Sequence, residues 1–182
     1  ISFKDGSTKT VCSDESWTWQ VGPLQESDLL MGETYDARQE IAGWLDPECD
    51  GGDAHPVYMV NAETRLPERI EPYPGVPVRT ITELPAQSVA EPTPGVYVFD
   101  HAQNMVGVVQ LKVDVPAGTV IVLNHGEMLN DDGTIYTENL RYAKATDRYI
   151  AKGGGPETWQ PRFTFHGFRY VEISGFPENP PP

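Results

Sequence analysis

The chain has 182 residues, 17 of them Gly and 17 Pro, and a formal net charge of −14. That length suits one well-buried domain, and such an acidic balance offers no basic stripe for nucleic acid and no attraction to an anionic membrane surface. No apolar run approaches the roughly 18 residues of a membrane-spanning helix. No basic and then apolar leader opens the sequence, and Ile1 begins mid-strand, as expected of a piece cut from something longer. Cys12 and Cys49 lack metal-ligand spacing. They form either one disulfide, worth ~3–4 kcal/mol in a chain-entropy model, or two separate thiols.

In chain order, residues 1–3, 8–12 and 17–20 read as short strands around an Asp5-Gly6 hairpin turn. Residues 35–41 suit one helical turn, because Ala, Arg and Gln fit a strand poorly. The stretch 45–75 is long, loop-like and rich in Asp, Glu, Gly and Pro, the profile of a functional or disordered loop. Residues 76–84 and 96–100 read as strands. Over 106–115, Val109, Leu111, Val113 and Val115 alternate with Val108, Gln110, Lys112 and Asp114, the period of a half-buried strand. Pro116-Ala117-Gly118 turns the chain into a β-branched run at 119–123 that reads as a central strand. Asn130-Asp131-Asp132-Gly133 signals a turn before a strand at 134–137, and 146–151 and 163–173 are further strands. Residues 177–182 carry four prolines and read as a linker. About nine or ten short strands without an amphipathic helix predict an all-β jelly-roll sandwich spanning 1–176.

Four motifs exceed what strand formation requires. They are Gly32-Glu33-Thr34-Tyr35-Asp36-Ala37-Arg38, Gln103-Asn104-Met105-Val106-Gly107, Tyr136-Thr137-Glu138-Asn139-Leu140-Arg141 and Phe165-His166-Gly167-Phe168-Arg169-Tyr170-Val171. In this order, with Asp5-Gly6-Ser7 and Ser13-Asp14-Glu15-Ser16-Trp17 before them, the chain from about residue 1 to 175 resembles the β-sandwich domain preceding the catalytic barrel of bacterial α-L-rhamnosidases, glycoside hydrolase family 78. The resemblance implies a jelly roll of the carbohydrate-binding module family 67 kind. In some of its members a calcium ion, held by the carboxylate of the Tyr-Asp motif, an adjacent amide and loop carbonyls, binds L-rhamnose. The catalytic acid and base of the family lie on a separate helical barrel, and nothing in this sequence reads as that barrel.

Carried onto this chain, the resemblance makes Asp36 a calcium ligand, with backbone oxygens at Pro72 and Pro77 completing the shell. Tyr35 and Trp44 offer aromatic faces to a sugar, and Asn104 an amide to its hydroxyls. The residues also permit a plainer reading, in which Asp36 pairs with Arg38 or Arg141 and Asn104 braces strands. Ala37 stands where calcium-binding members carry an amide, so calcium is the less secure element. Asp46, Glu48, Asp50 and Asp53 around Gly51-Gly52 read as a solvated surface loop. His166, flanked by aromatics, reads as a hydrogen-bonded packing histidine. His125-Gly126-Glu127 lacks the Pro-Cys-x-x-Cys partner of a zinc deaminase. The expected function is therefore a non-catalytic module for L-rhamnose-containing glycans, extracellular or periplasmic and monomeric, with a non-binding accessory domain of the same enzymes as the alternative.

Overall fold

The computed structural model describes residues 1–49, 52–60 and 70–177. Asp50 and Gly51 of the acidic loop, and the Pro-rich tail from 178 onward, lie outside the described residues. The chain forms two compact units, one from Ile1–Val21 and Ile41–Val78, the other from Gly22–Glu40 and Arg79–Pro182.

Among its described residues the first unit has one short antiparallel pair, β1 (Thr18–Trp19) with β4 (His55–Pro56), where Trp19 packs against His55. The Asp5-Gly6 turn forms as its residues require: Asp5 accepts from the Ser7 amide and hydroxyl, and the Phe3 amide donates to Ser7 O. Of the strands expected there, 17–20 is present as β1, while 1–3 and 8–12 are reduced to a single bridge, Ser2 to Thr8. Cys12 and Cys49 are both free thiols, which decides between the two possibilities.

The second unit holds the sandwich. Its strands are β2 (Leu24–Asp28), β3 (Gly32–Asp36), β5 (Ser88–Thr93), β6 (Val96–Gly107), β7 (Leu111–Val113), β8 (Val120–Gly126), β9 (Thr146–Ile150), β10 (Glu157–Trp159) and β11 (His166–Ser174). Seven of them make one sheet in the order β2-β3-β9-β8-β11-β6-β5, and β7 pairs with β10 in a smaller sheet. Only β3 and β9 run parallel within the large sheet. Leu111, Val113 and Trp159 of the small sheet pack on Ile121, Leu123, Tyr149, Phe168, Val171 and Ile173 of the large one, closing an all-β sandwich core. No α-helix occurs among the described residues.

Period-two burial explains the central strands. Ile121, Leu123 and His125 of β8 face the core, as do Asp147 and Tyr149 of β9. On β11 the core-facing set is His166 and Phe168, then Val171 and Ile173, because a register shift at Arg169 changes the parity. Opposite it, residues 101–104 of β6 bulge out of the ladder, and Ala102 takes a left-handed φ of 60°.

Several expectations change. The alternation over 106–115 is real in its burial, yet the strand is interrupted at 108–110, where the chain crosses from the large sheet to the small one. Residues 76–84 form no strand; Val76, Val78 and Ile81 are exposed, and Pro77 cannot donate to a ladder. Ala37–Gln39 forms a short 3-10 turn inside the expected helical stretch, while residues 134–137 contribute only the bridge of Ile135 to Leu129.

The bulge is braced by charge. Arg169 donates from Nε and Nη2 to both oxygens of Asp100, at 2.8 Å each, and the Ala102 amide adds a third bond to Oδ1. Arg169, acting against the smaller cost of burial, holds the Asp100 carboxyl down to about 2, with His101 a minor contributor. A carboxyl with a depressed folded-state pKa stabilises above its ordinary value of 3.8 and loses that contribution as pH falls towards 2. Arg169→Ala should therefore lower the melting temperature at pH 7, and its gap to the parent chain should close between pH 4 and 2 in circular-dichroism melts.

Glu33 is buried, and its Oε2 accepts from the backbone amides of Arg162 and Phe163. Burial raises its pKa, although the two amide bonds oppose the rise. Glu33→Ala orphans both amides and should cost about 1–3 kcal/mol in urea unfolding, with Glu33→Gln recovering part of the loss.

Candidate functional site

The segment 32–40 places several candidate residues by simple local rules. Gly32 adopts φ 108°, and a Cβ there would sit 2.0 Å from Thr146 O, so only glycine lets β3 approach β9 this closely. Asp36 caps the following 3-10 turn by accepting from the Arg38 amide, and Ala37 is buried in the sandwich core. Alternation along β3 leaves Tyr35 facing the same side as Glu33.

Tyr35, Tyr149 and Trp159 form an aromatic group. Tyr149 stacks on Trp159 at a centroid distance of 5.2 Å, and Tyr35 lies 6.1 Å from Tyr149 and 6.0 Å from Trp159. A cleft of about 410 Å³ opens beside them, lined also by Glu40, Gln110, Thr158, Gln160 and Arg162. Tyr35 donates its hydroxyl to Glu40 Oε1 at 3.1 Å, and Lys152 pairs with the other oxygen of Glu40. Burial and the facing Glu40 push the Tyr35 phenol up to about 12. Tyr149 donates to Glu157 Oε2 at 2.7 Å, and Glu157 also accepts from the amides of Lys152 and Gly153. Burial alone would raise the Glu157 carboxyl, but these bonds together hold it below its ordinary value. The cleft thus has the half-buried Tyr35 ring at its wall, backed by the buried Tyr149 and Trp159, and a rim of amide, carboxylate and guanidinium groups. Such a surface can stack on carbon–hydrogen faces and hydrogen-bond hydroxyls.

Of the residues singled out from sequence, Tyr35 alone lines this cleft. The Asp36 carboxylate is committed: Oδ1 accepts from the Arg38 amide and Nε, and Oδ2 from Arg38 Nη2 at 2.8 Å and Gln39 Nε2 at 3.4 Å. Arg38, working against burial, holds Asp36 at about 2. Asn104 sits in the exposed β6 bulge and donates to Glu127 Oε1 at 2.9 Å, which is bracing of neighbouring elements. Trp44, Pro72 and Pro77 belong to the first unit, where all three are exposed. His166 is buried and hydrogen-bonded, its Nε2 lying 3.2 Å from Asp147 Oδ1.

Sequence reading missed Tyr149, Trp159, Gln160, Glu40 and Arg162. The available signal was the Thr158-Trp159-Gln160 run after a glycine-rich turn, an aromatic between two hydrogen-bonding residues. Among the described residues, the one group of His, Asp, Glu or Cys side chains close enough to share a metal is His125, Asp147 and His166.

Comparison with known proteins gives this geometry a lineage. An α-L-rhamnosidase of Streptomyces avermitilis is 52% identical over 180 residues, which is 99% of this chain and 17% of that protein. The crystal structure of a Streptomyces avermitilis α-L-rhamnosidase complexed with L-rhamnose superposes with a TM-score of 0.88 at 52% identity, over 98% of this chain and 17% of that one. The α-L-rhamnosidase structure from Dictyoglumus thermophilum gives a TM-score of 0.83 at 38% identity, over 99% of this chain and 20% of that one. The chain therefore spans about a fifth of the length of the relatives it matches. The α-L-rhamnosidase N-terminal domain model matches residues 1–82, and the bacterial α-L-rhamnosidase concanavalin-like domain model matches residues 90–182. With both models matched in sequence order, and the sandwich shared with solved relatives, this chain belongs to the bacterial α-L-rhamnosidase family.

Proposed function

We propose that the chain is a non-catalytic, monomeric recognition domain of a secreted α-L-rhamnosidase, reading L-rhamnose on glycans at the Tyr35–Tyr149–Trp159 cleft. The observation that carries this reading is the cleft's composition. A deoxysugar presents a methyl group and carbon–hydrogen faces that suit the exposed part of the Tyr35 ring, held in place by the buried Tyr149 and Trp159, and hydroxyls that suit Gln110, Gln160, Glu40 and Arg162. A shallow polar contact of this kind corresponds to millimolar to micromolar binding, or roughly 4–8 kcal/mol.

Calcium assistance at Asp36 is the finer part of the proposal, and it requires the carboxylate to exchange Arg38 for the ion. The commitment of Asp36 to Arg38 favours a second reading, in which the domain positions the enzyme's catalytic part and binds no sugar. Titration calorimetry with L-rhamnose, in calcium and then in EDTA, separates the two. The first reading expects binding heat with an affinity that falls about tenfold in Gln160→Ala, the loss of one hydrogen bond, and a dependence on calcium that EDTA removes. No heat at millimolar sugar in either condition leaves the accessory reading. Release of free rhamnose from an aryl rhamnoside by this chain would overturn both.

A further inference from the structure

Two residues back along β3 and β9 from the aromatic cleft, the sandwich core turns polar. His125 of β8, Asp147 of β9 and His166 of β11 all face it from three adjacent strands and are 1%, 0% and 4% exposed. Asp147 Oδ1 accepts the Glu33 amide at 2.9 Å and lies 3.2 Å from His166 Nε2. Asp147 Oδ2 lies 3.8 Å from His125 Nε2, and neither of those two buried atoms has a hydrogen-bond partner.

The state of the His125 ring follows from its neighbour. Its Nδ1 lies 2.9 Å from the carbonyl of Ala145, which can only accept, so Nδ1 carries the hydrogen. In the neutral ring Nε2 then presents a lone pair directly at a carboxylate oxygen. Two acceptors facing each other in a dry core, with no donor between them, are a costly arrangement that a cation between them relieves. Nor does any Lys or Arg among the described residues pair with Asp147.

We propose that His125, Asp147 and His166 form a structural binding site for a divalent transition-metal ion, with Zn²⁺ the best match. The donor set is two imidazoles and one carboxylate, which selects a borderline-soft ion over calcium or magnesium. All three ligand atoms lie within 4.8 Å of one another. Tetrahedral bonds of about 2.0–2.2 Å place donors roughly 3.4 Å apart, so a pair at the 4.8 Å limit would close by roughly 1.4 Å. The backbone carbonyl on Nδ1–H of His125 is the outer support that metal-ligating histidines characteristically carry. Because the site is closed to solvent, the ion is taken up as the chain folds. This inference does not rest on the sugar-binding reading.

The test is refolding of the untagged chain from denaturant in Zn²⁺ or in chelator, followed by dialysis and elemental analysis. One retained ion per chain, a melting temperature raised over the chelator arm, and visible d–d bands of tetrahedral intensity after Co²⁺ refolding are expected. Retention should be lost in His125→Gln and His166→Gln and kept in His55→Ala. A metal-free chain after Zn²⁺ refolding overturns the proposal, as does retention that survives both glutamine variants. Should those variants fail to fold, the cobalt spectrum of the parent chain decides alone, and the absence of tetrahedral bands overturns it.

Discussion

The parallel contact of β3 with β9 is the constraint on which the second unit depends. Parallel strands need a long crossover, and here more than a hundred residues separate the partners. The contact is fixed by chemistry specific to its residues. Gly32 permits backbone approach, the Glu33 amide binds Asp147, and the Glu33 carboxylate ties down the amides of Arg162 and Phe163 ahead of β11. One short polar segment thereby joins β9 to the approach of β11. A slip of one residue would turn Glu33 and Tyr35 out of the core together, so these polar bonds set the register as firmly as apolar burial does elsewhere.

Buried polar groups are expensive unless satisfied, and the two kinds of end in this sandwich show it. Around Ile121, Leu123, Val171 and Ile173 the core is apolar and ordinary strand alternation suffices. Around Glu33, Asp147, His125 and His166 it is polar, and its partners are backbone amides and carbonyls and the His166–Asp147 contact, with His125 Nε2 and Asp147 Oδ2 left facing each other. Asp100 and Arg169 repeat the principle at the more exposed β6–β11 bulge, where a bidentate ion pair accompanies displaced ladder bonds.

The legible parts of the sequence were those where apolar periodicity and structure coincide. The β-branched run at the start of β8 and the stretch containing β9 and β11 read correctly because their core-facing residues are mainly Ile, Leu, Val, Tyr and Phe. By contrast β3 reads Gly-Glu-Thr-Tyr-Asp, and its buried glutamate looks like a surface residue until its amide partners are known. The edge strand β2 is wholly exposed and β5 contains a proline, so neither carries an apolar pattern to find. At the candidate site, Tyr35 and the Arg38 pairing of Asp36 were visible as local possibilities. Tyr149 was not, and Trp159 and Gln160 showed only as the Thr158-Trp159-Gln160 run, because a cleft assembled from distant strands leaves no mark of its assembly at any one spacing.

The aromatic cleft and the His–Asp–His group meet on β9, and β3 reaches both, through the Glu33 amide and the Tyr35 ring. Glu33 and Tyr35 lie two residues apart on one face of β3, as Asp147 and Tyr149 do on β9, with Tyr35 paired in register with Tyr149. The polar pair sets where the aromatic pair falls. Anything that neutralises or tightens Asp147 acts on the Glu33 amide directly, and the next residues to feel a shift in β3 are those carrying the Tyr35 ring and the Asp36 cap. The placing of the aromatic group thus depends on a polar residue buried beside it. That dependence gives a physical reason for β3 to begin with Gly-Glu rather than with a hydrophobic pair: the strand must be located before it can place its tyrosine.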